Sequence, residues 1–265
     1  MNKIPGNYTV QPKTKKELGA LIEAEIKKNG NQCDLNHIDV SLINDFSCLF
    51  YGSKFNGDIS KWNISSATSM SSLFESSEFN GDISKWDVSS VIDMSFMFQS
   101  SRFYGDVSGW DVSSVVNSRS MFAFSLFNGD ISKWDVSGVK GMYAMFFSSK
   151  FNNDISRWNV SGAEDMVSMF FASEFNEDIS KWDVSKVKDM RSMFEDSKFK
   201  GDISDWNRAS EIIDKDIFLS SELSKLLGVK DPSFEQVKSH FLSLMLEEDL
   251  QNNSPRQSQA SKVRL

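Results

Sequence analysis

A constant spacing of 24 residues constrains this chain more than any other feature of its sequence. All seven tryptophans obey it, at positions 62, 86, 110, 134, 158, 182 and 206. Two columns of phenylalanine follow the same period, one from Phe55 to Phe199 and the other from Phe50 to Phe194. A fixed period of this length is typical of stacked supersecondary units that share one core. The sequence therefore predicts a repeat array.

The predicted array covers residues 31–210 as seven units and a closing half unit, without insertion or deletion. The flanking segments do not belong to the repeat. Capping-box spacing at residues 14–17 and 233–236 predicts a helical cap in residues 1–30 and another in residues 211–250. The polar residues 251–265 are predicted to form a disordered tail.

Each unit is expected to contain a short strand and a short helix. In the unit 79–102, the apolar positions 83, 86 and 88 predict a strand that faces a core. Positions 94, 97, 98 and 101 have the spacing of one helix face, and Asp93 stands where that helix would begin. The predicted fold class is an α/β repeat solenoid of the leucine-rich-repeat type, with successive strands paired in parallel and helical caps at both ends.

Composition argues against several classes of function. The chain has 37 acidic and 29 basic residues, a net charge of −8, so it lacks the basic footprint of a nucleic-acid-binding protein. No apolar run approaches the length of about 18 residues that a membrane-spanning helix needs. Two cysteines and two histidines argue against a disulfide scaffold, a zinc module and most His-based catalytic sites. The serine columns are too regular for a single activated nucleophile. We expect no enzymatic activity and no cofactor.

A column of aspartates is the strongest candidate for a metal site. It comprises positions 34, 58, 82, 106, 130, 154, 178 and 202. One interpretation is calcium binding, as in other stacked repeats with acidic turns. A hard cation takes six to eight oxygens, however, whereas this column supplies a single carboxylate per unit. We therefore favour the alternative that each carboxylate accepts backbone N–H groups in its own turn.

The repeat phrase resembles a known family. Residues 79–98 read Phe-Asn-Gly-Asp-Ile-Ser-Lys-Trp-Asp-Val-Ser-Ser-Val-Ile-Asp-Met-Ser-Phe-Met-Phe. This phrase resembles the BspA-like leucine-rich repeat family, which includes the repeats of mycoplasma-type surface lipoproteins. The resemblance covers residues 31–210. It implies a bacterial protein, often displayed at the cell surface, that binds other macromolecules. No signal peptide or lipid-anchor cysteine is visible near Met1, which favours the cytoplasm, whereas the resemblance favours the cell surface or secretion.

The candidate binding residues lie where the units differ from one another. Apolar side chains at variable positions of the middle units form a candidate interaction patch of Phe96, Tyr104, Phe124, Leu126, Tyr143, Phe147 and Phe171. Contiguous exposed apolar surface usually marks an interaction site, and aromatic residues are its usual anchors. The alternative is that these side chains fold back over the edge of the core.

A second candidate is the strand face, on which leucine-rich-repeat proteins commonly bind their partners, as the resemblance implies. Its basic stripe consists of Lys61, Lys85, Lys133, Arg157 and Lys181. A solvated charged face is the alternative interpretation of this stripe. We expect a non-enzymatic scaffold for macromolecular recognition that binds a protein or a glycan. The alternative function is a self-assembling structural protein, joined through the apolar patch or the C-terminal helices.

Overall fold

The computed structural model describes residues 8–208 and 212–253. Its three helices are α1 (Lys15–Asn29), α2 (Glu222–Leu227) and α3 (Phe234–Asn253), and all of them flank the repeat. Between α1 and α2 the chain winds through stacked coils of 24 residues. The predicted tail beyond α3 lies outside the described residues.

Backbone hydrogen bonds join every coil to the next. The amides of residues 70, 72, 74 and 76 donate to the carbonyls of residues 93, 95, 97 and 99 at 2.8–3.0 Å. The same four bonds recur at each later interface between coils. We call this stretch of each coil the ladder segment. Because alternate amides bond to the neighbouring coil, a coil satisfies its backbone only when it is stacked.

Polar side chains close the corners of each coil. In the coil 79–102, the carboxylates of Asp82, Asp87 and Asp93 each accept the N–H two residues ahead, at 2.9–3.1 Å. The hydroxyl of Ser101 accepts the N–H of Phe103 at 3.3 Å in the same way. Such local bonds favour turns over regular secondary structure. Four corners therefore bring the chain round to the start of the next coil.

The tryptophan and phenylalanine columns form one continuous core along the stack, as the sequence predicted. Every tryptophan is buried, with 2–7% of its surface exposed. Each indole Nε1–H donates to a carbonyl 27 residues earlier, as Trp134 does to Val107 at 3.1 Å. Phe122 and Phe146 stack with their ring centroids 5.8 Å apart. The core is thus apolar, and the single polar atom of each indole is satisfied.

The predicted strands are wrong, and with them the α/β solenoid. The described residues contain no strand, and adjacent coils pair in parallel only through isolated bridges, such as Asp93 with Asn117. In the segment predicted as a strand, Trp86 N–H donates to the carbonyl of Ile83 at 3.1 Å, which closes a turn. The apolar positions 83, 86 and 88 face the core because the chain bends around it. These side chains therefore point inward without an extended strand.

The predicted helix within each unit is also wrong. In the ladder segments, two residues per coil have a positive φ, for example Phe96 (59°) and Ser100 (53°). A right-handed helix cannot pass through such residues. Alternate amides of these segments donate to the next coil, and the amides between them donate three residues back, so the i to i−4 bonds of an α-helix are absent from these segments. Consecutive turns therefore produce the apolar spacing that resembles a helix face.

The flanking helices cover both ends of the stack. Thr14 caps α1 by accepting the N–H of Glu17 at 3.2 Å, and Leu18 and Ile22 of this helix are buried against the first coil. At the other end, Ser233 and Gln236 form the predicted capping box of α3.

The beginning of α3 packs closely against the last coil, and several apolar side chains further along the helix are exposed. The ring of Phe234 lies 6.5 Å from that of Trp206 and 5.3 Å from that of Phe218. Further along, large apolar side chains are 44–63% exposed at Leu242, Leu244, Met245 and Leu246. The helix therefore combines a cap with an uncovered apolar segment.

Candidate functional site

Aromatic side chains gather on the outward side of the ladder segments in the middle coils. We call this surface the aromatic face, and it consists of Phe96, Arg119, Phe124, Tyr143, Phe147 and Phe171. The equivalent outward positions of the coil 55–78 hold serine and glutamate, as at residues 71, 72, 75 and 76. In the first coil one exposed tyrosine, Tyr51, occupies such a position, and only in the middle coils do several aromatic side chains lie together.

Three phenylalanines from successive coils contact one another on this face. The ring of Phe124 lies 5.1 Å from that of Phe147 and is tilted by 53°, whereas Phe147 and Phe171 stack at 4.6 Å with only 4° between their planes. Phe124 is 53% exposed, and the other two are half-buried. The structure therefore brings these predicted residues together as one exposed apolar cluster.

Two residues of the aromatic face have a backbone conformation that bulky side chains rarely adopt. Phe96 has φ 59° and Phe124 has φ 55°, in the left-handed region. The equivalent positions in other coils hold small residues such as Ser72 and Ser76. A left-handed conformation costs a residue with a Cβ atom about 1–2 kcal/mol. Large aromatic rings at these positions suggest a role other than stability, since strained residues cluster at functional sites.

A guanidinium group lies between two aromatic rings of this face. The Arg119 Cζ atom is 4.2 Å from the ring centroid of Tyr143 and 5.8 Å from that of Phe96. Both contacts are cation–π interactions, which hold an exposed arginine in a defined orientation. Arg119 itself is exposed. The face therefore presents one ordered positive charge beside its phenylalanines.

Tyr104 and Leu126 belong to a different side of the coils, where they are 69% and 59% exposed. The N–H of Tyr104 donates to the side-chain oxygen of Asn80 at 2.9 Å, and the same bond recurs from Asn152 to Asn128 at 2.8 Å. A tyrosine has no amide oxygen with which to continue this asparagine ladder. Tyr104 makes no aromatic stacking contact within the described residues, so it stays apart from the aromatic face.

The basic stripe lies on turns instead of on a strand. All five residues of the stripe are exposed: Lys61, Lys85, Lys133, Arg157 and Lys181. Each follows an aspartate of the turn column by three residues, so that charges of both signs alternate along this side. Lys181 also pairs with Asp205 at 3.0 Å. This arrangement offers little net positive charge to a partner.

The aspartate column forms turns, as the sequence suggested. Its carboxylates accept the N–H two residues ahead at 2.8–2.9 Å in every coil. The backbone N–H and then the hydroxyl of Ser84 hold the pKa of Asp82 below its ordinary value. Within the described ranges, no three His, Cys, Asp or Glu side chains are grouped so that they could hold a metal ion.

Sequence reasoning missed Arg119 and part of α3. Arg119 is recognisable only when it is aligned with its neighbours 24 residues away, because the rings that hold it come from the coils on either side. In α3, the side chains of Leu242, Leu244, Met245 and Leu246 are exposed. The capping box predicted a helical cap here but did not show which part of the helix the last coil covers.

Comparisons with known proteins identify the repeat. A family model described as "Mycoplasma protein of unknown function, DUF285" matches two successive stretches, residues 21–126 and 123–225. No curated protein and no solved structure matches the chain. Among the described helices, none is both long and apolar enough to cross a bilayer. The match confirms the mycoplasma-type part of the predicted resemblance, and the BspA-like leucine-rich-repeat part stays a prediction. Because the two matches together cover most of the sequence, the chain belongs to the DUF285 family of Mycoplasma proteins.

Proposed function

We propose that this protein is a non-enzymatic scaffold that binds another protein through its aromatic face. The observation that carries the proposal is the contact of Phe124, Phe147 and Phe171 on exposed surface. Clustered aromatic side chains supply most of the binding energy at protein interfaces. The continuous core below them keeps the face in place, because each coil is bonded to both neighbours.

Two further observations support this proposal. Phe124 has a strained backbone at a position where the two preceding coils have serine, which is expected if the ring serves binding. The resemblance to BspA-like repeats adds an expectation of macromolecular partners, including host proteins or glycans at the bacterial surface. The basic stripe supports a glycan partner less well, because aspartates alternate with its lysines.

The triple variant Phe124→Ser, Phe147→Ser, Phe171→Ser tests the proposal. We expect it to keep the far-ultraviolet circular dichroism of the wild type and to lose the partner that the wild type captures from host or bacterial lysate. A matched control, Glu75→Ser, Glu195→Ser, Asp196→Ser, changes outward ladder positions of the polar coils. Equal capture by the two variants would contradict the proposal, as would unfolding of the phenylalanine variant.

A second candidate function is self-assembly through α3. Four large apolar side chains, Leu242, Leu244, Met245 and Leu246, are exposed near its middle. Leu242, Met245 and Leu246 have the spacing of one helix face, and such a face can pair with a second copy. Light scattering over a range of protein concentrations distinguishes the two functions, since a mass that stays at one chain excludes self-assembly.

A further inference from the structure

Arg119 has a counterpart three repeats further along the chain. Arg191 occupies the same position in the coil 175–198. There the residue two places earlier is Asp189, and its carboxylate binds the guanidinium through two bonds, Nε to Oδ1 at 3.0 Å and Nη2 to Oδ2 at 2.7 Å. Burial raises the pKa of Asp189, but the bonds from Arg191 outweigh it and hold that pKa below its ordinary value. The charge of Arg191 is therefore neutralised within its own coil.

In the middle coil, an asparagine replaces this aspartate. Asn117 Oδ1 accepts the N–H of Arg119 at 3.1 Å, as Asp189 Oδ1 does for Arg191 at the same distance. The turn is therefore the same in both coils, but the middle coil lacks the negative charge that neutralises the arginine. Arg119 makes no ion pair within the described residues. Its guanidinium is held by stacking on Tyr143, which leaves the N–H edge available to an external acceptor.

The surroundings of Arg119 indicate what it would bind. It is the only charged residue in the ladder segments 95–100, 119–124, 143–148 and 167–172. The flanking coils carry acids at the equivalent positions, Glu75 on one side and Glu195 with Asp196 on the other. A carboxylate on a partner is thus attracted at one point of the face and repelled at both ends. Planar carboxylates match the geometry of a guanidinium edge.

The dimensions of the face suit a short peptide segment. Tyr143 and Phe147 are four residues apart in one chain, so their Cα atoms lie within about 14 Å. An extended segment of about eight residues reaches from the guanidinium across the phenylalanine cluster. We infer that the aromatic face binds a protein segment in which apolar side chains flank an aspartate or glutamate, with Arg119 receiving the carboxylate. This inference rests on the proposed function and names the chemistry of its partner.

Fluorescence anisotropy with defined peptides tests the inference. The probes are fluorescein-labelled octapeptides with two phenylalanines and two leucines around a central aspartate, asparagine or lysine. We expect the full-length protein to bind the aspartate peptide about tenfold or more tightly than the asparagine peptide, because a bidentate charge-assisted pair is lost in the latter. The lysine peptide is expected to bind least.

The variant Asn117→Asp gives the sharpest comparison. The new carboxylate should form an ion pair with Arg119, as the carboxylate of Asp189 does with Arg191. The preference for the aspartate peptide should then be lost, although the phenylalanines are unchanged. The matched control is Asn159→Asp, which adds the same charge at a turn where the neighbouring coils already have Asp135 and Asp183. The control should keep the preference. Equal circular dichroism and urea midpoints establish that both variants fold.

Three results would overturn the inference. One is that the aspartate and asparagine peptides bind the wild type equally and fail to bind the phenylalanine triple variant. In that case the inferred recognition of a carboxylate by Arg119 is wrong, and the proposed function stands. If no peptide binds, the inference fails, and capture from lysate by the wild type and the phenylalanine triple variant decides the proposed function separately. If hexagalacturonate binds through Arg119 and the peptides do not, the partner is an acidic glycan instead of a protein segment.

Discussion

At the level of single residues, each coil is shaped by side chains that bond to the backbone two residues ahead. Asp82 and Ser101 illustrate the two kinds of corner, one closed by a carboxylate and the other by a hydroxyl. Between the corners, positive φ angles recur in the ladder segments at residues with a Cβ atom, among them Ser100 and Ala144. The stack thus imposes local conformations that the residues themselves do not favour, because interactions between coils compensate for them.

Relief of this local strain gives a prediction at one residue. Ser100→Gly should raise the free energy of unfolding by about 1 kcal/mol, because glycine adopts a positive φ without steric cost. Ser114→Gly is the matched control, because Ser114 is exposed and is not among the residues with positive φ. Glycine already occupies the equivalent position in the next two coils, as Gly138 and Gly162. The control should lower stability by about 0.5–1 kcal/mol. Urea unfolding measures both, and a loss of stability in Ser100→Gly as large as in the control would contradict the prediction.

At the level of the element, the coil takes the place of strand and helix as the structural unit. Its sides are short and its corners carry acceptors, so backbone hydrogen bonds within tight turns alternate with bonds to the neighbouring coils. A coil by itself leaves its ladder amides without partners, and its apolar side chains contact few others. Stability therefore depends on the turns that keep each coil in register with the next.

The carboxylates at these turns make stability dependent on pH. Backbone and hydroxyl hydrogen bonds from Ser84 and Ser108 hold the pKa values of Asp82 and Asp106 below the ordinary value. A lowered folded-state pKa contributes stability that is present above the unfolded value of about 3.9 and is lost as the pH falls through the folded value. The double variant Asp82→Asn, Asp106→Asn keeps the acceptors but does not titrate.

Its urea midpoint should therefore fall less than that of the wild type between about pH 6 and pH 3. Glu23→Gln, at an exposed position of α1, serves as the control for the loss of an acidic residue. A wild-type midpoint that does not change over this range would show that the turns do not depend on ionised carboxylates.

Much of this element-level organisation is not visible in the sequence. The period predicted the buried tryptophan and phenylalanine columns, and the capping boxes predicted α1 and α3, because burial and capping follow directly from residue type and spacing. The apolar positions 83, 86 and 88 could not distinguish a bent segment from a strand, since both point the same side chains inward. Nothing in the residues at positions 96 and 100, phenylalanine and serine, signals a positive φ. The ordered charge at Arg119 depends on rings from two other coils.

At the level of the whole molecule, the stack has two apolar ends, and its middle coils carry the aromatic face. Helices cover the ends, with Leu18 fully buried at one and Phe234 nearly so at the other. The ladder segments near the ends are mostly polar, apart from the exposed Tyr51 of the first coil, whereas those in the middle present the aromatic face. The covered ends and the exposed aromatic side chains thus belong to different parts of one continuous structure.

The end caps lead to a prediction about association. Leu18→Asp, Ile22→Asp places two charges on the buried side of α1, where they cannot be solvated unless the helix leaves the first coil. The uncovered apolar end should then bind other copies, so that the mass from light scattering rises with protein concentration. Ala24→Asp adds a charge on the exposed side of the same helix and should leave the mass unchanged. A concentration-independent mass for the double variant would show that the end coil needs no cover.

The buried tryptophan column has a consequence for spectroscopy. Adjacent indoles such as Trp62 and Trp86 lie nearly parallel, with ring centroids 6.5 Å apart. At this separation excitation should pass readily from one indole to the next, and because the ring planes are nearly parallel, each transfer should change the polarisation of the emission only slightly. A quencher that reaches one indole should therefore also reduce the fluorescence of its neighbours. The tryptophan emission then reports a local change at any coil of the stack.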